Sequence, residues 1–373
     1  MKRILIIGDA DSVWIKRYIE HILLGEDYEV YLTNLIDKTK FSKFYSQNHI
    51  HLINTKSIPI LRNIPKIRAL IRLFSAFRER RHYDIIHVHY MSPIHIAALR
   101  ILASHRKTSH IIGTFWGSDL FRASARILKV FRRNFRHFRY LGVSTDEMQR
   151  KFTDIFGDSY NQKLRRVLFG ISGFNDISTI LKVQNKENCK AHFNICSKKT
   201  VVCVGYNAYE GQQHLKVISQ IAKIREETLK KIIWIFPMTY GKMKNLKEVQ
   251  DTLSLMDVNY IILTNFMEDE EIAKLRIATD ILIHAQITDA FSASLQEHLY
   301  AGSVVINPTW IQYSQISKLQ IDIVEYSEFD ELPEIIEKLL QNGVQCLGEN
   351  QEKLENLSSW RSVKDSWRRL YEV

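Results

Sequence analysis

The segment Thr279–Pro308, TDILIHAQITDAFSASLQEHLYAGSVVINP, restricts what this chain can fold into more than any other stretch. Its apolar run Ile281-Leu282-Ile283 ends in a polar loop, where Thr288 or Asp289 is placed to cap a helix. The helical pattern runs to Gly302, a left-handed stop, and the β-branched run Val304-Val305-Ile306 follows. Strand, helix and strand in so short a span make a parallel crossover unit. Two carboxylates ride on it. Asp289 stands at the expected helix start and Glu297 lies eight residues later, ~12 Å along the axis at ~1.5 Å per residue and on the same broad side. Free amides at a helix start attract phosphate, so the spacing suits a ligand with hydroxyls at both ends and a negative middle. A capped helix with an exposed glutamate accounts for the same residues.

The alternation continues through both halves of the chain. Strand patterns fall at Ile4–Gly8, Glu29–Thr33, His49–Ile53, Asp84–His89, His110–Thr114, Tyr140–Val143 and Val167–Gly170, with helical patterns at Val13–Leu24, Ile94–Ala103 and Asp146–Phe156. A second series starts at Thr200–Gly205 and continues through Ile232–Phe236, Tyr260–Thr264, Ile281–His284 and Val304–Asn307. Its helices are expected at Gln212–Ile224, Leu246–Leu255, Asp269–Ala278 and Ala290–Ala301. This order predicts an α/β chain of two Rossmann-like domains with parallel sheets, whose ligands sit at the carboxyl ends of strands. At 373 residues the chain exceeds one ordinary hydrophobic core. The polar stretch Lys182–Lys199 is the expected divide. It gives a first domain over residues 1–180, a second over 181–358, and a C-terminal helix over 359–373.

Charge is unevenly divided. Residues 1–180 carry 30 Lys and Arg against 15 Asp and Glu, whereas the remainder carries 22 against 26. Pro59–Arg81 and Arg122–Arg139 hold seven basic residues each. A basic amphipathic helix suits an anionic membrane surface, or else packs its apolar side on its own domain with the arginines solvated. Nucleic acid is the other partner of a basic face, but no helix-turn-helix, zinc-finger or RNA-binding signature is present, and none is expected to bind. No apolar run approaches bilayer length, and the start MKRILIIGD reads as a first strand. A cytoplasmic protein is expected, with the inner face of the plasma membrane as a peripheral site. The four cysteines include no CxxC pair, and Cys189, His192 and Cys196 lack a fourth ligand at zinc spacing. Neither a metal nor a disulfide framework is therefore expected.

Asp289-Ala-Phe-Ser-Ala-Ser-Leu-Gln-Glu297, followed by His-Leu-Tyr-Ala-Gly, resembles the acidic-x7-acidic segment of GT-B glycosyltransferases, family 4 above all. Tyr83–Tyr90 is similar to the family's strand with an acid and a His-x-His pair. Thr114-Phe-Trp-Gly-Ser-Asp-Leu120 is similar to its T-x-H-G-x-D-L loop, with Trp116 where His is usual. Gly142–Met148, Phe169–Ser172 and Trp360–Tyr371 resemble the next strand-to-helix step, the hinge and the returning C-terminal helix. The family's Arg and Lys-Gly, which neutralise the donor diphosphate, are absent from Val204-Gly-Tyr-Asn-Ala-Tyr-Glu-Gly-Gln-Gln-His214. That run, with Trp116 and Pro237–Gly241, is closer to bacterial fucosaminyl (Fuc4NAc) transferases, which are inverting GT-B enzymes. Stereochemistry stays open between the two.

The resemblance implies transfer of a sugar from a nucleotide diphosphate to an acceptor hydroxyl across an interdomain cleft. No cofactor is implied beyond the nucleotide sugar itself. The acceptor would be lipid-linked or a glycan, as in bacterial-type surface polysaccharide synthesis. Asp289 would contact the donor sugar and Glu297 the ribose, with the main chain at Phe266 and Met267 bordering the base. The diphosphate would fall to the amides of Phe291 and Ser292, with Gly205, Asn207, Thr239 and Tyr240 nearby and Lys242 as a replacement charge or a solvated lysine. Asp119 is placed to act as catalytic base or as a helix N-cap. Ser12, Trp14, His89 and Trp116 would border the acceptor, and Asp9-Ala-Asp11 is an accidental D-x-D. A non-catalytic GT-B relative and a sugar-nucleotide epimerase are the alternatives.

Overall fold

The computed structural model describes residues 1–33, 39–53, 82–93, 95–96, 110–344 and 350–372. They form two compact units, residues 1–170 with 360–373, and residues 171–359. Pro59–Arg81, most of Ile94–Ala103 and Cys346 lie outside the described residues.

In the first unit the strands are β1 (Lys2–Ile7), β2 (Tyr28–Thr33), β3 (His51–Ile53), β4 (Ile85–His89), β5 (His110–Thr114), β6 (Tyr140–Val143) and β7 (Leu164–Arg166). They pair in parallel in the order β3-β2-β1-β4-β5-β6-β7. Ile4 to Ile7 are fully buried, as a central strand covered on both faces requires. Helices α1 (Val13–Tyr18), α2 (Ala125–Asn134) and α3 (Asp146–Phe156) belong to this unit. So does the C-terminal helix Trp360–Arg369: Trp360, Val363, Trp367, Leu370 and Tyr371 pack into one core with Ile4, Tyr18 and Ile85. Of the two basic segments, Arg122–Arg139 forms α2 and the turn after it. Phe131 and Phe135 are buried there while Arg126, Arg132, Arg133 and Arg136 are exposed, so the helix packs on its own unit.

In the second unit helices α4 (Gly173–Leu181) and α5 (Lys186–His192) precede β8 (Thr200–Val204). Then come α6 (His214–Ile221), β9 (Ile232–Pro237), α7 (Met243–Ser254), β10 (Tyr260–Leu263), α8 (Asp269–Ala278), β11 (Ile281–Ile283), α9 (Ala293–Tyr300), β12 (Val304–Pro308) and β13 (Val324–Tyr326). The parallel order is β10-β9-β8-β11-β12-β13. The chain moves outward from β8 through β9 and β10, then crosses to the other side of β8 to place β11. The sheet's switch point is therefore between β8 and β11, where the crevice outside the strand ends receives ligands in such folds.

Several expectations are corrected. The divide falls between Gly170 and Ile171, not in Lys182–Lys199. That polar stretch contains α5, which has a reciprocal Asn185–Asn188 capping box and buries Cys189 and Lys190. Lys190 and Lys186 both reach Asp280, at 2.7 and 3.0 Å, so charged composition there marks an anchored helix rather than a linker. The seventh strand precedes Val167–Gly170, because an edge position tolerates Arg165 and Arg166. Arg166 pairs with Asp146, and the Arg165 guanidinium lies 4.1 Å over the Tyr140 ring. Helix Val13–Leu24 divides into α1 and a π-helical turn, Ile19–Leu23. Strand β13 was unforeseen.

Candidate functional site

The switch point of the second unit is fastened across its two sides. Gly205 N donates to Ile283 O at 3.2 Å, Gln213 Nε2 to Ala285 O at 2.8 Å, and Ile287 N to Gly211 O at 3.0 Å. Gly205 has φ +64°, and a Cβ there would lie 2.8 Å from Gln212 Oε1 and 3.0 Å from His214 Nε2, so a side chain would be both strained and crowded. Asn207 closes an Asx turn through its Oδ1, which accepts from Tyr209 N at 2.9 Å. The loops after β8 and β9 are joined where Ala208 N donates to Tyr240 O at 2.7 Å and Lys242 N to Ala208 O at 3.3 Å. Gly241, at φ +127°, allows this approach: a Cβ would meet the Ala208 carbonyl carbon at 2.7 Å. Tyr209 and Tyr240 are left half exposed, their ring centroids 6.2 Å apart, with Thr239 beside them. Gly205, Asn207, Thr239 and Tyr240 thus come together.

Lys242 is exposed and reaches Glu210 at 3.4 Å. Phe266 is exposed, and Met267 packs on a small cluster with Ile195, Val201, Ile235 and Leu275. Both follow β10, two strands from the switch point.

The acidic pair is rearranged relative to the sequence reading. Helix α9 begins at Ala293, capped by Ser292, whose Oγ accepts from Leu295 N at 3.2 Å. Neither Thr288 nor Asp289 caps it. The Tyr313 hydroxyl donates to Asp289 Oδ2 at 2.7 Å and also meets the Ser292 main chain at the helix start. Phe291 lies against the same Tyr313 ring, at 5.6 Å. Glu297 is not an exposed helical glutamate. Arg276 Nε of α8 donates to Glu297 Oε2 at 3.1 Å, with the two side chains only 8% and 12% exposed. A Cβ on Gly173 would sit 2.5 Å from Glu297 Oε1, so α4 rests its first turn directly on the carboxylate. The ion pair takes Oε2, and Oε1 faces the start of α4. Arg276 and Gly173 escaped the sequence reading because both partners are distant in the chain.

In the first unit Asp119 is 5% exposed and accepts three main-chain donors: Met91 N at 2.7 Å, Trp116 N at 2.8 Å and Gly117 N at 3.0 Å. Burial raises its pKa to about 6 against the pull of those amides. It is neither an open base nor the cap of its own short helix, Ser118–Phe121. It ties the loop after β4 to the loop after β5. Trp14, Trp116 and His89 gather around Phe169, at 5.8, 5.1 and 6.1 Å between ring centroids. Ser12 opens α1 without a side-chain cap. His89 is fully buried, packed on Tyr18 and His87, and burial lowers its pKa to about 3. It stands inside the unit, with neither ring nitrogen hydrogen-bonded. His87 bonds the Tyr371 hydroxyl at 2.6 Å and the Thr114 hydroxyl at 2.7 Å. Asp11 Oδ1 accepts from Thr39 Oγ1 and Lys40 N, and Asp9 Oδ1 from Asp11 N, so both carboxylates serve the loop.

Among the described residues no group of three His, Cys, Asp or Glu side chains is placed to hold a metal, and no helix is long and apolar enough to cross a membrane. Residues 3–145 match the family described as Glycosyl transferase 4-like. No curated protein matches the chain. Solved structures do. One is Anabaena HepE in complex with UDP and glucose, at TM-score 0.73 and 14% identity, covering 100% of this chain and 99% of that one. A second is the sucrose-phosphate synthase of Thermosynechococcus elongatus, at 0.75 and 13%, covering 100% and 98%. A glycosyltransferase from Rickettsia africae follows, at 0.76 and 14%, covering 99% and 97%. At these identities the likeness establishes the fold: two Rossmann-like α/β domains with parallel sheets, as in GT-B glycosyltransferases.

Proposed function

We propose that this chain is a glycosyltransferase that moves a sugar from a nucleotide diphosphate to an acceptor hydroxyl. One observation carries the proposal. The switch point of the second sheet is bordered by a glycine at positive φ that a side chain would crowd, and by buried polar atoms of Gln212 and His214 that lack partners. Buried polar groups are nearly always hydrogen-bonded, so unpartnered ones where strand ends receive ligands in such folds support a polar ligand there. HepE has been captured with UDP and with UDP-glucose, which favours a uridine nucleotide as donor. The amides that open α9 after Ser292 offer a second set of donors for phosphate.

Glu297, Asp289 and Lys242 take reduced roles in this proposal. Glu297 holds α8 through Arg276 and lies against α4 at Gly173. Asp289 is held by Tyr313, and Lys242 is a loop charge beside Glu210. The exposed pair Tyr209 and Tyr240 provides aromatic faces for the base or the sugar. The basic first unit is the acceptor side, which fits an acceptor carrying phosphate or pyrophosphate, such as a lipid-linked glycan. Whether the enzyme inverts or retains, as the likeness to Fuc4NAc transferases raises, is read from the product.

The test is release of nucleoside diphosphate from UDP-, TDP- and GDP-sugars, with and without pyrophosphate-linked lipid acceptors. Acceptor-dependent release supports transfer. Conversion of the sugar without acceptor identifies an epimerase, and binding without turnover identifies a non-catalytic relative.

A further inference from the structure

His214 is the first residue of α6 and is 1% exposed. Its protonation is fixed by its neighbours. Asn245 Nδ2 donates to Ala208 O at 3.1 Å, and faces His214 Nδ1 at 3.4 Å. A carbonyl oxygen only accepts, so the Asn245 amide must present its NH2 side, and Nδ1 of His214 must accept. The ring proton is therefore on Nε2. That N–H is buried without a partner beside Gly205, where an added Cβ would lie 3.0 Å from its nitrogen. His284, the other buried histidine at the switch point, has the opposite polarity. Asn307 Nδ2 donates to Pro308 O and Ile311 O, so its Oδ1 accepts the Nδ1 proton of His284, and His284 Nε2 is a bare acceptor.

We infer, resting on the glycosyltransferase reading above, that the Nε2–H of His214 donates to the diphosphate of the bound nucleotide sugar in place of the missing Arg and Lys. Gly205 leaves the main chain bare beside that N–H, and a side chain there would crowd it. Gln212 Oε1 is likewise buried beside Gly205 without a partner. Asn245 is a positioning residue: it sets the tautomer and touches no ligand. The contact is that of a neutral donor, unlike the point charge of a lysine. Burial keeps the imidazole uncharged, with its pKa lowered to about 4.

Binding of UDP-glucose, UDP and uridine to the full chain tests this, beside His214→Phe, which keeps a ring and loses the donor. UDP-glucose affinity is expected to fall about tenfold to a hundredfold, the loss typical of one hydrogen bond to a charged group, while uridine affinity holds. Asn245→Leu is expected to weaken UDP-glucose and not uridine. Wild-type affinity for UDP-glucose, whose diphosphate has no ionisation near neutrality, should be flat between about pH 5.5 and 8. A rise toward the acid end would show a cationic imidazole and overturn the tautomer assignment. Equal losses for uridine and UDP-glucose, or no loss, overturn the inference and leave the functional reading intact. A folded wild type that binds none of UDP, TDP, GDP and ADP overturns both. Should His214→Phe melt early without ligand, the imidazole nitrogen resonances of wild-type His214 decide. Nε2 shifts on adding UDP-glucose and not uridine, or the inference fails.

Discussion

Replacing Glu297 by alanine leaves the Arg276 guanidinium buried with its charge unanswered. The two side chains are 12% and 8% exposed, and Arg276 Nη1 has no partner even in the intact pair. Breaking a buried pair from one side costs about 3–5 kcal/mol, because the surviving charge stays desolvated. The unit spans residues 171–359, a size at which 1 kcal/mol moves Tm by roughly 2–4 °C. The expected fall is thus on the order of 10 °C in the transition of that unit. Glu297→Leu combined with Arg276→Leu, which removes both charges, should recover most of it. Differential scanning calorimetry of the single and double variants gives the comparison directly. A fall of less than ~2 °C for the alanine variant would refute the burial argument. It would mean that the pair opens to solvent and that Glu297 is available to a ribose after all. Nucleotide-induced shifts in these variants must accordingly be measured from each variant's own unliganded Tm.

Four further outcomes are expected. The folded pKa of Asp119 is raised to about 6, above its unfolded value, so its contribution to stability falls as pH rises from about 4 to about 6. The Tm of wild type relative to Asp119→Asn should decline over that interval, and an increase would show that the three amides outweigh burial. Tyr371→Phe removes the hydroxyl shared by Tyr18 and His87 and should lower stability by about 1–3 kcal/mol in urea unfolding. Gly205→Ala places a Cβ at positive φ against Gln212 and His214, and should cost about 1–3 kcal/mol and abolish detectable nucleotide binding by thermal shift. Lys242→Ala breaks a pair exposed at 59% on both sides, and should change stability by less than about 0.5 kcal/mol.

The parallel sheets were legible because their strands are runs of β-branched residues bounded by turn signals, as in Ile4–Ile7 and Val304–Ile306. Asp269–Ala278 and Asp146–Phe156 carry acidic first turns, and the latter a Thr145 cap, so their bounds could be read to the residue. Strand β13 is only three residues long and partly exposed, too brief for alternation to register. The cap of α9 was misplaced because Asp289 and Ser292 are both good capping residues, and only the distant Tyr313 decides between them. The switch-point loop was located from its glycine and its neighbours. The partners of Glu297 and Asp119 were not, since each lies far along the chain: Arg276 and Gly173 for one, the amide of Met91 for the other. His214 looked like part of a polar run, and its buried donor emerges only once Asn245 is brought beside it.

Hydrogen exchange of the full chain with and without UDP-glucose tests most directly where the donor binds. Slowed exchange in the segments around residues 205–214 and 284–297, with no comparable change on the first sheet, is the predicted pattern. Saturating ligand that protects other segments, or none, would contradict a donor site at the β8–β11 switch point.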